Sequence, residues 1–471
     1  MPDTLGRMTA VQPARWRTVV ASLPESRLAL WLAFVIAHLW LGFLNLNAQG
    51  LPLGDVTFNY QYWAQQADFG TYYVGIDSVW VYPIVALVPM VVVGIFGFQN
   101  YAGAWLSLIF VLDAVAFLVM VGWRTGGTGR RSTAIGWWWI AFLLLLGPIA
   151  MGRIDSVTIP IAIVAVLFLA VRPRLASVLL TLATWIKVWP AALIVAILIA
   201  SKARVRVFVA AAITSVVIIA AALALGSGAN VFSFITQQTG RGLQIEAPIS
   251  TLWMWLSYAR VPGAFVYYDQ GILTFQVAGP GTDVAASVMS PILGVAILAI
   301  AALGVLAVRR GSPVTELLGP LSLALITGFI DFDKVGSPQY MTWLAVPVIL
   351  GLATNAMGHG RSFRTPSIMV LVVGALTQTF YPYFYTNLLG LDPTLLLVLT
   401  ARNILIFVLL IWSIGVLWEL SRPTLVHERL ADADAWLPDV WPFGERVDPW
   451  TVARAEAEAE YGRPRTGPGD E

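Results

Sequence analysis

The chain has 471 residues, of which 58% are hydrophobic and 11% charged, with a formal net charge of +2 and no cysteine. That charged fraction is less than half the roughly 25% of an average soluble protein, so a water-soluble globule is excluded. The lack of cysteine excludes a disulfide framework and any thiolate metal site.

Residues 1 to 27, with Arg7, Arg15, Arg17 and Arg27, read as a cytoplasmic N-terminal segment with an interfacial stretch around Trp16. Runs of about 20 apolar residues suit the roughly 30 Å hydrocarbon core of a bilayer. They recur at Leu28 to Leu46, Ile135 to Ala150, Phe208 to Leu225, Ile292 to Val308, Ser367 to Phe380 and Leu395 to Trp418. The first is long enough to remain as an anchor, and no clear cleavage pattern follows it. An all-α polytopic bundle of twelve or thirteen transmembrane segments is therefore predicted over residues 28 to 420, with a polar cytoplasmic tail over 421 to 471. The tail ends in AEAEAEYGRPRTGPGDE, which offers nothing to build a core with.

Charge clusters sit between the apolar runs: Arg124, Arg130 and Arg131; Arg172 and Arg174; Lys202, Arg204 and Arg206; Arg309 and Arg310; Arg361 and Arg364. The positive-inside rule assigns them to the cytoplasm. Two long loops then belong outside, about 47 to 79 and 226 to 285, the first with Asp55, Asp68 and Asp77 and no Lys or Arg. Both are rich in aromatic residues, as expected of interfacial helices. Residues 80 to 121 form two apolar runs broken at Gly97 to Tyr101. Two full crossings there would return the Arg124 cluster to the outer side, so either one run is re-entrant or the rule is violated once. The short runs flanking Lys187 read as a hairpin entering from the cytoplasm.

Five polar clusters carry potential chemistry. In LGDVTFNYQYWAQQ, Asp55 precedes a helical stretch with Asn59, Tyr62 and Gln66 on one face. An Asp there is either a plain helix cap or a carboxylate kept ionised to act as a general base. GPIAMGRIDSVTIP sets Arg153 and Asp155 between apolar runs, where ionisable groups are expensive and serve mutual pairing or function. Lys187, in ATWIKVWP, either snorkels to the interface or faces a polar cavity. TGRGLQIEAPISTLW brings Arg241, Gln244 and Glu246 together, as a loop-ordering ion pair or an arginine fork for phosphate. GFIDFDKVGSPQYMTW places Asp331, Asp333 and Lys334 beside Gln339 and Tyr340. Nearly all of these clusters are expected on the outer side, bordering a polar cavity open to an amphiphile with a phosphate and sugar head.

GDVTFNYQYW, GRID, KVWP, RGLQIEAP and SPQYMTW, taken in order, resemble the actinobacterial polyprenyl-phosphate-mannose-dependent mannosyltransferases of glycosyltransferase family 87, over roughly residues 28 to 420. Two positions depart from the family pattern: Tyr82-Pro83-Ile84 stands where Tyr-Pro-Pro is usual, and Glu246-Ala247 where Glu-Ser is usual. The resemblance implies a C-type membrane glycosyltransferase fold in a bacterial plasma membrane, with the active site on the extracytoplasmic side. The three lysines against many arginines agree with a GC-rich bacterial genome. It also implies transfer of a sugar, most often mannose, from polyprenyl phosphate to a lipid or glycan acceptor, without metal or other cofactor and without nucleic acid. Asp55 corresponds to the family's catalytic aspartate. One base suffices with a phosphate leaving group, and inversion is the expected outcome. The departing phosphate needs cations: Arg241 and Lys334 rank first, then Lys187 and Arg153. Asn59, Tyr62, Asp155, Gln244, Glu246, Gln339 and Tyr340 are the candidates for substrate contacts. The competing reading is a secondary transporter or lipid flippase, against which stand the absence of an internal repeat and the gathering of charges near one face.

Overall fold

The computed structural model describes residues 26–122, 129–237 and 240–422, without the side chains of 129–131. The readings made for residues 1–25, for Arg124 and for the tail from 423 onward fall outside the described residues.

Helix α1 (Arg27–Asn47) starts where the Ser26 hydroxyl accepts the Ala29 N–H at 3.3 Å. The chain then turns through a π-helical segment, Asp55–Tyr60, into α2 (Gln61–Asp68). Next come α3 (Leu87–Gly94), α4 (Tyr101–Val121), α5 (Gly129–Leu146), α6 (Asp155–Phe168), α7 (Pro173–Ile186), α8 (Ala191–Ala200), α9 (Arg204–Ala224) and the single turn α10 (Ser233–Thr236). Strand β1 (Leu243–Gln244) leads to α11 (Thr251–Tyr258) and a hairpin of β2 (Phe265–Asp269) and β3 (Thr274–Ala278). The chain closes with α12 (Thr282–Arg309), α13 (Val314–Asp331), α14 (Ala345–Ala356), α15 (Arg364–Phe380), α16 (Tyr385–Leu389) and α17 (Pro393–Leu420). Helix α17 has Pro at its first position and is capped by Asp392, whose carboxylate accepts the N–H groups of Thr394 and Leu395.

The protein is thus mostly helical, as its composition requires. Seven segments among the described residues are long and apolar enough to cross a membrane: Arg27–Asn47, Phe98–Val121, Ser132–Ala150, Arg204–Ala224, Thr282–Arg309, Val314–Asp331 and Pro393–Leu420. Four shorter apolar helices accompany them, Ile84–Gly94, Asp155–Phe168, Pro173–Ile186 and Ala191–Ala200. Ile84–Gly94 is about 16 Å long at 1.5 Å per residue, roughly half a bilayer core. It does not span by itself, and the guanidinium of Arg27 donates to the carbonyl of Gly122 at 3.0 Å. The two ends of the 27–122 stretch therefore adjoin, and residues 80 to 121 cross once, which decides between the two alternatives raised by the sequence.

The second long loop is more ordered than an all-α reading anticipates. Its strands form an antiparallel sheet in the order β1-β3-β2, with Gln244 opposite Gln276 and Tyr267 opposite Gln276 on the other side. In the first loop, the buried face of the helix is Val56, Tyr60, Ala64 and Ala67. Asn59 is half-buried and Tyr62 is 54% exposed, off that face.

The two ends of the bundle differ in chemistry. At one, Ser177 bonds the carbonyl of Val207 at 2.6 Å, Ser312 that of Leu420 at 2.8 Å, and Ser421 that of Leu303 at 3.2 Å. Arg361 pairs with Glu419 at 2.6 Å beside them. A Cβ on Gly304 of α12 would lie 3.3 Å from Ile199 of α8, which joins the two groups, so the loops around Arg172, Lys202, Arg309 and Arg361 share this end. At the other, Asn45 bonds the carbonyl of Pro148 at 2.9 Å and Trp105 that of Met151 at 2.9 Å, bringing the ends of α1 and α5 to the start of α4. Between the ends, His38 of α1 meets Asp113 of α4 at 3.1 Å, and its Nδ1 bonds the carbonyl of Phe34 at 2.9 Å. A carbonyl only accepts, so Nδ1 carries a proton. Spans α9 and α12 lie at the periphery, with 11% and 17% of their apolar windows buried.

Candidate functional site

Asp55 opens the π-helical turn after Gly54, and Gly54, not Asp55, is the N-cap residue, with no side-chain cap bond. The expected helix-capping carboxylate is thus corrected. Asp55 instead turns to Arg153, with Oδ2 3.1 Å from the guanidinium Nε, while 37% of its side chain stays exposed. Arg153 lies in the turn between α5 and α6, and all three of its guanidinium nitrogens are engaged. Nη1 donates to the carbonyls of Pro52 (2.5 Å) and Gly152 (2.8 Å), and Nη2 to the hydroxyl of Tyr381 (2.6 Å). Gly152 permits this packing, since a Cβ there would lie 2.7 Å from the Pro52 carbonyl. Burial works against charge on Arg153, but Asp55 first, then Tyr381, Tyr60 and Tyr82, more than offset it and hold the guanidinium above its ordinary range.

Arg153 and Asp155 do not pair with each other. Asp155 begins α6, where Oδ1 accepts the indole N–H of Trp343 at 2.7 Å and Oδ2 lies 3.8 Å from Lys187 Nζ. Lys187 sits in the break between α7 and α8, with its ammonium 4.8 Å from the ring centre of Tyr82 and 5.7 Å from that of Tyr340. Burial disfavours its charge, and Asp155, Tyr82 and Tyr340 outweigh that, so the amine is held above the usual lysine range. This is a partnered, caged cation and not a snorkelling one. Tyr82 joins the two ion pairs: its hydroxyl is 3.5 Å from that of Tyr60, which accepts the N–H of Ile154 at 3.3 Å.

Arg241 and Lys334 lie on neighbouring segments, because the carbonyl of Lys334 accepts the N–H of Gln244 at 3.0 Å. Arg241 is close enough to Lys187, Asp333, Lys334 and Tyr340 to act on all four electrostatically. Its Nε is buried without a hydrogen-bond partner, as is the amide nitrogen of Gln244. Asp333 accepts the N–H of Val335 at 3.0 Å, yet burial pushes its carboxyl up to about 6. Burial likewise lowers the Lys334 amine, with Asp333 opposing. Gln339 accepts from Ser337 at 2.7 Å, and the ring of Tyr340 stacks on Trp343 at 4.1 Å.

Glu246 does not pair with Arg241. Its carboxylate receives Arg402 at 3.1 Å and the hydroxyl of Tyr385 at 3.2 Å, and its carbonyl receives a second Arg402 nitrogen at 2.8 Å. The structure therefore assembles Asp55, Arg153, Asp155, Lys187, Arg241, Lys334 and Tyr340 into one connected polar cluster. Gln244, Glu246 and Gln339 lie at its back, while Asn59 is marginal and Tyr62 stands apart. Sequence reasoning missed Tyr381, Tyr385, Trp343 and Arg402. Arg402 had a readable signal, an arginine within the apolar run Leu395 to Trp418, where charge is tolerated only for a reason. The tyrosines had none, being ordinary in an aromatic-rich membrane protein.

A bilayer-spanning bundle with a carboxylate, several cations and aromatic rings gathered at one end has the makings of an enzyme acting on a polar head at a membrane surface. The family model for glycosyltransferase family 87 matches residues 80–330, more than half of the chain, and the chain belongs to that family. It is a membrane glycosyltransferase, acting between a sugar donor and an acceptor. The matched region holds Arg153, Asp155, Lys187, Arg241, Gln244 and Glu246; Asp55 and Lys334 lie outside it. Neither the curated proteins nor the solved structures compared with the chain give a match.

Proposed function

We propose that this glycosyltransferase moves a sugar, mannose in the first instance, from a polyprenyl-phosphate donor to a lipid or glycan acceptor of the bacterial cell envelope, with inversion and without a metal. Asp55 is the general base. The observation that carries this reading is the Asp55–Arg153 ion pair, which holds the carboxylate by Oδ2 while 37% of the side chain stays exposed to an incoming hydroxyl. Because four of its five N–H donors go to Asp55, two carbonyls and Tyr381, Arg153 orients the base and ranks low as a cation for phosphate. Arg241 and Lys334, on neighbouring segments, are the first cations for the departing phosphate, and Lys187, paired with Asp155, is the next. Pre-aimed cations in a site of low dielectric stabilise charge as it develops, which is what a sugar phosphate demands of a catalyst. The basic loops share the opposite end of the bundle, so the positive-inside rule supports an extracytoplasmic site.

The test is transfer of radiolabelled mannose from polyprenyl phosphate by the purified full-length protein. Asp55→Asn is expected to bind donor and to lose about 10²- to 10⁴-fold in turnover. Full turnover by that variant would remove Asp55 from the mechanism. Activity with an arabinose or glucose donor alone would move the specificity but keep the chemistry.

A further inference from the structure

Arg402 lies about 14 Å along α17 from its first residue, at 1.5 Å per residue, and both it and its partner Glu246 have side chains only 1% exposed. A guanidinium buried within a membrane span is costly and is kept where a specific geometry depends on it. Arg402 fastens one segment and lies within electrostatic reach of a second. One is 241–251, fastened through the Glu246 carboxylate and carbonyl and, next door, by Asn403 donating to the Thr251 hydroxyl at 2.8 Å. The other is the end of α13, where Asp331, 1% exposed and with neither carboxylate oxygen hydrogen-bonded, lies within electrostatic reach of the same guanidinium. The first segment carries Arg241 and the second runs on into Lys334. They also touch directly: a Cβ on Gly336 would lie 2.0 Å from the backbone nitrogen of Ala247.

We infer that Arg402 is a positioning residue, a buried guanidinium that holds the segment of Arg241 in register with the segment of Lys334, resting on the phosphate role given to those two cations above. Arg402 touches no substrate. Its fork geometry matters as much as its charge, because it grips a carboxylate and a carbonyl of one residue at once.

Arg402→Lys keeps the charge and loses the fork. Hydrogen–deuterium exchange of the full-length protein in detergent needs no substrate and reads the anchoring by itself. Faster exchange is expected in 241–251 and 331–337, with 55–68 unchanged. With polyprenyl-phosphate mannose, the donor KM is expected to rise about tenfold and the acceptor KM to stay within about twofold. In an Arg241→Gln, Lys334→Gln background, the same substitution should raise the donor KM by less than about twofold, because there is no phosphate geometry left to lose. Exchange that rises along the whole chain, or losses that multiply in that background, would overturn the inference. Inactivity of the wild type on this donor would count against the donor assignment, and the exchange result would still decide the anchoring. Should Arg402→Lys fail to accumulate, Glu246→Gln, nearly isosteric, is measured on the same scales.

Discussion

At the scale of single residues the site is a set of charges whose partners come from distant parts of the chain. Asp55 meets Arg153, Asp155 meets Lys187 and Glu246 meets Arg402. The charged residues were legible in the sequence because ionisable groups at membrane edges stand out against apolar runs. Their pairing was not, since the local pairings Arg153 with Asp155 and Arg241 with Glu246 are not made, and Arg153, Asp155 and Glu246 take partners from distant parts of the chain. Asp333 gives a pH test. Its carboxyl is raised from 3.8 to about 6 by burial, so it is ionised at pH 7, where it offsets Lys334 and Arg241, and protonated at pH 5. The donor KM is therefore expected to fall as pH drops from 7 to 5. Asp333→Asn should hold KM at the low value throughout, as measured by initial rates across that range. The stability sign agrees: the folded state takes up this proton before the unfolded state does, so its contribution grows as pH falls from about 6 toward 3.8.

Among the elements, long apolar helices were readable and short irregular ones were not. The strands β2 and β3 are five residues each, and β1 only two, too short for an alternating pattern to declare itself beside aromatic clusters. The π-helical turn at Asp55 has the composition of an ordinary helix start, which is why a cap stands beside a general base in the sequence reading. The contact between the loop after α13 and the segment after β1 depends on a residue with no side chain. Gly336→Ala forces a Cβ into the Glu246–Ala247 peptide, 2.3 Å from the Glu246 carbonyl carbon. Backbone must yield there, so a lowered Tm and at least a tenfold loss of transfer are expected, the first read by thermal unfolding and the second by labelled-sugar transfer. An unchanged rate would mean that the two segments need not touch for catalysis.

At the scale of the whole molecule, the absence of cysteine makes sidedness directly measurable. Phe69→Cys reports on the first long loop and Arg310→Cys on the basic end, both at exposed positions. A membrane-impermeant maleimide is expected to label the first in intact cells and the second only after permeabilisation. The reverse pattern would put the polar cluster in the cytoplasm. The peripheral spans carry one more consequence. Helix α12, with 28 residues, is about 42 Å long at 1.5 Å per residue, well beyond a core of roughly 30 Å. A cylinder too long for its slab leans, kinks or thickens the slab around it, and with 17% of its apolar stretch buried this one has room to move. Its N-terminal end follows β3, which is laddered to β1 beside Arg241. The thickness of the host bilayer is thereby coupled by leverage to the strand that adjoins Arg241, and the rate of transfer is expected to depend on acyl-chain length.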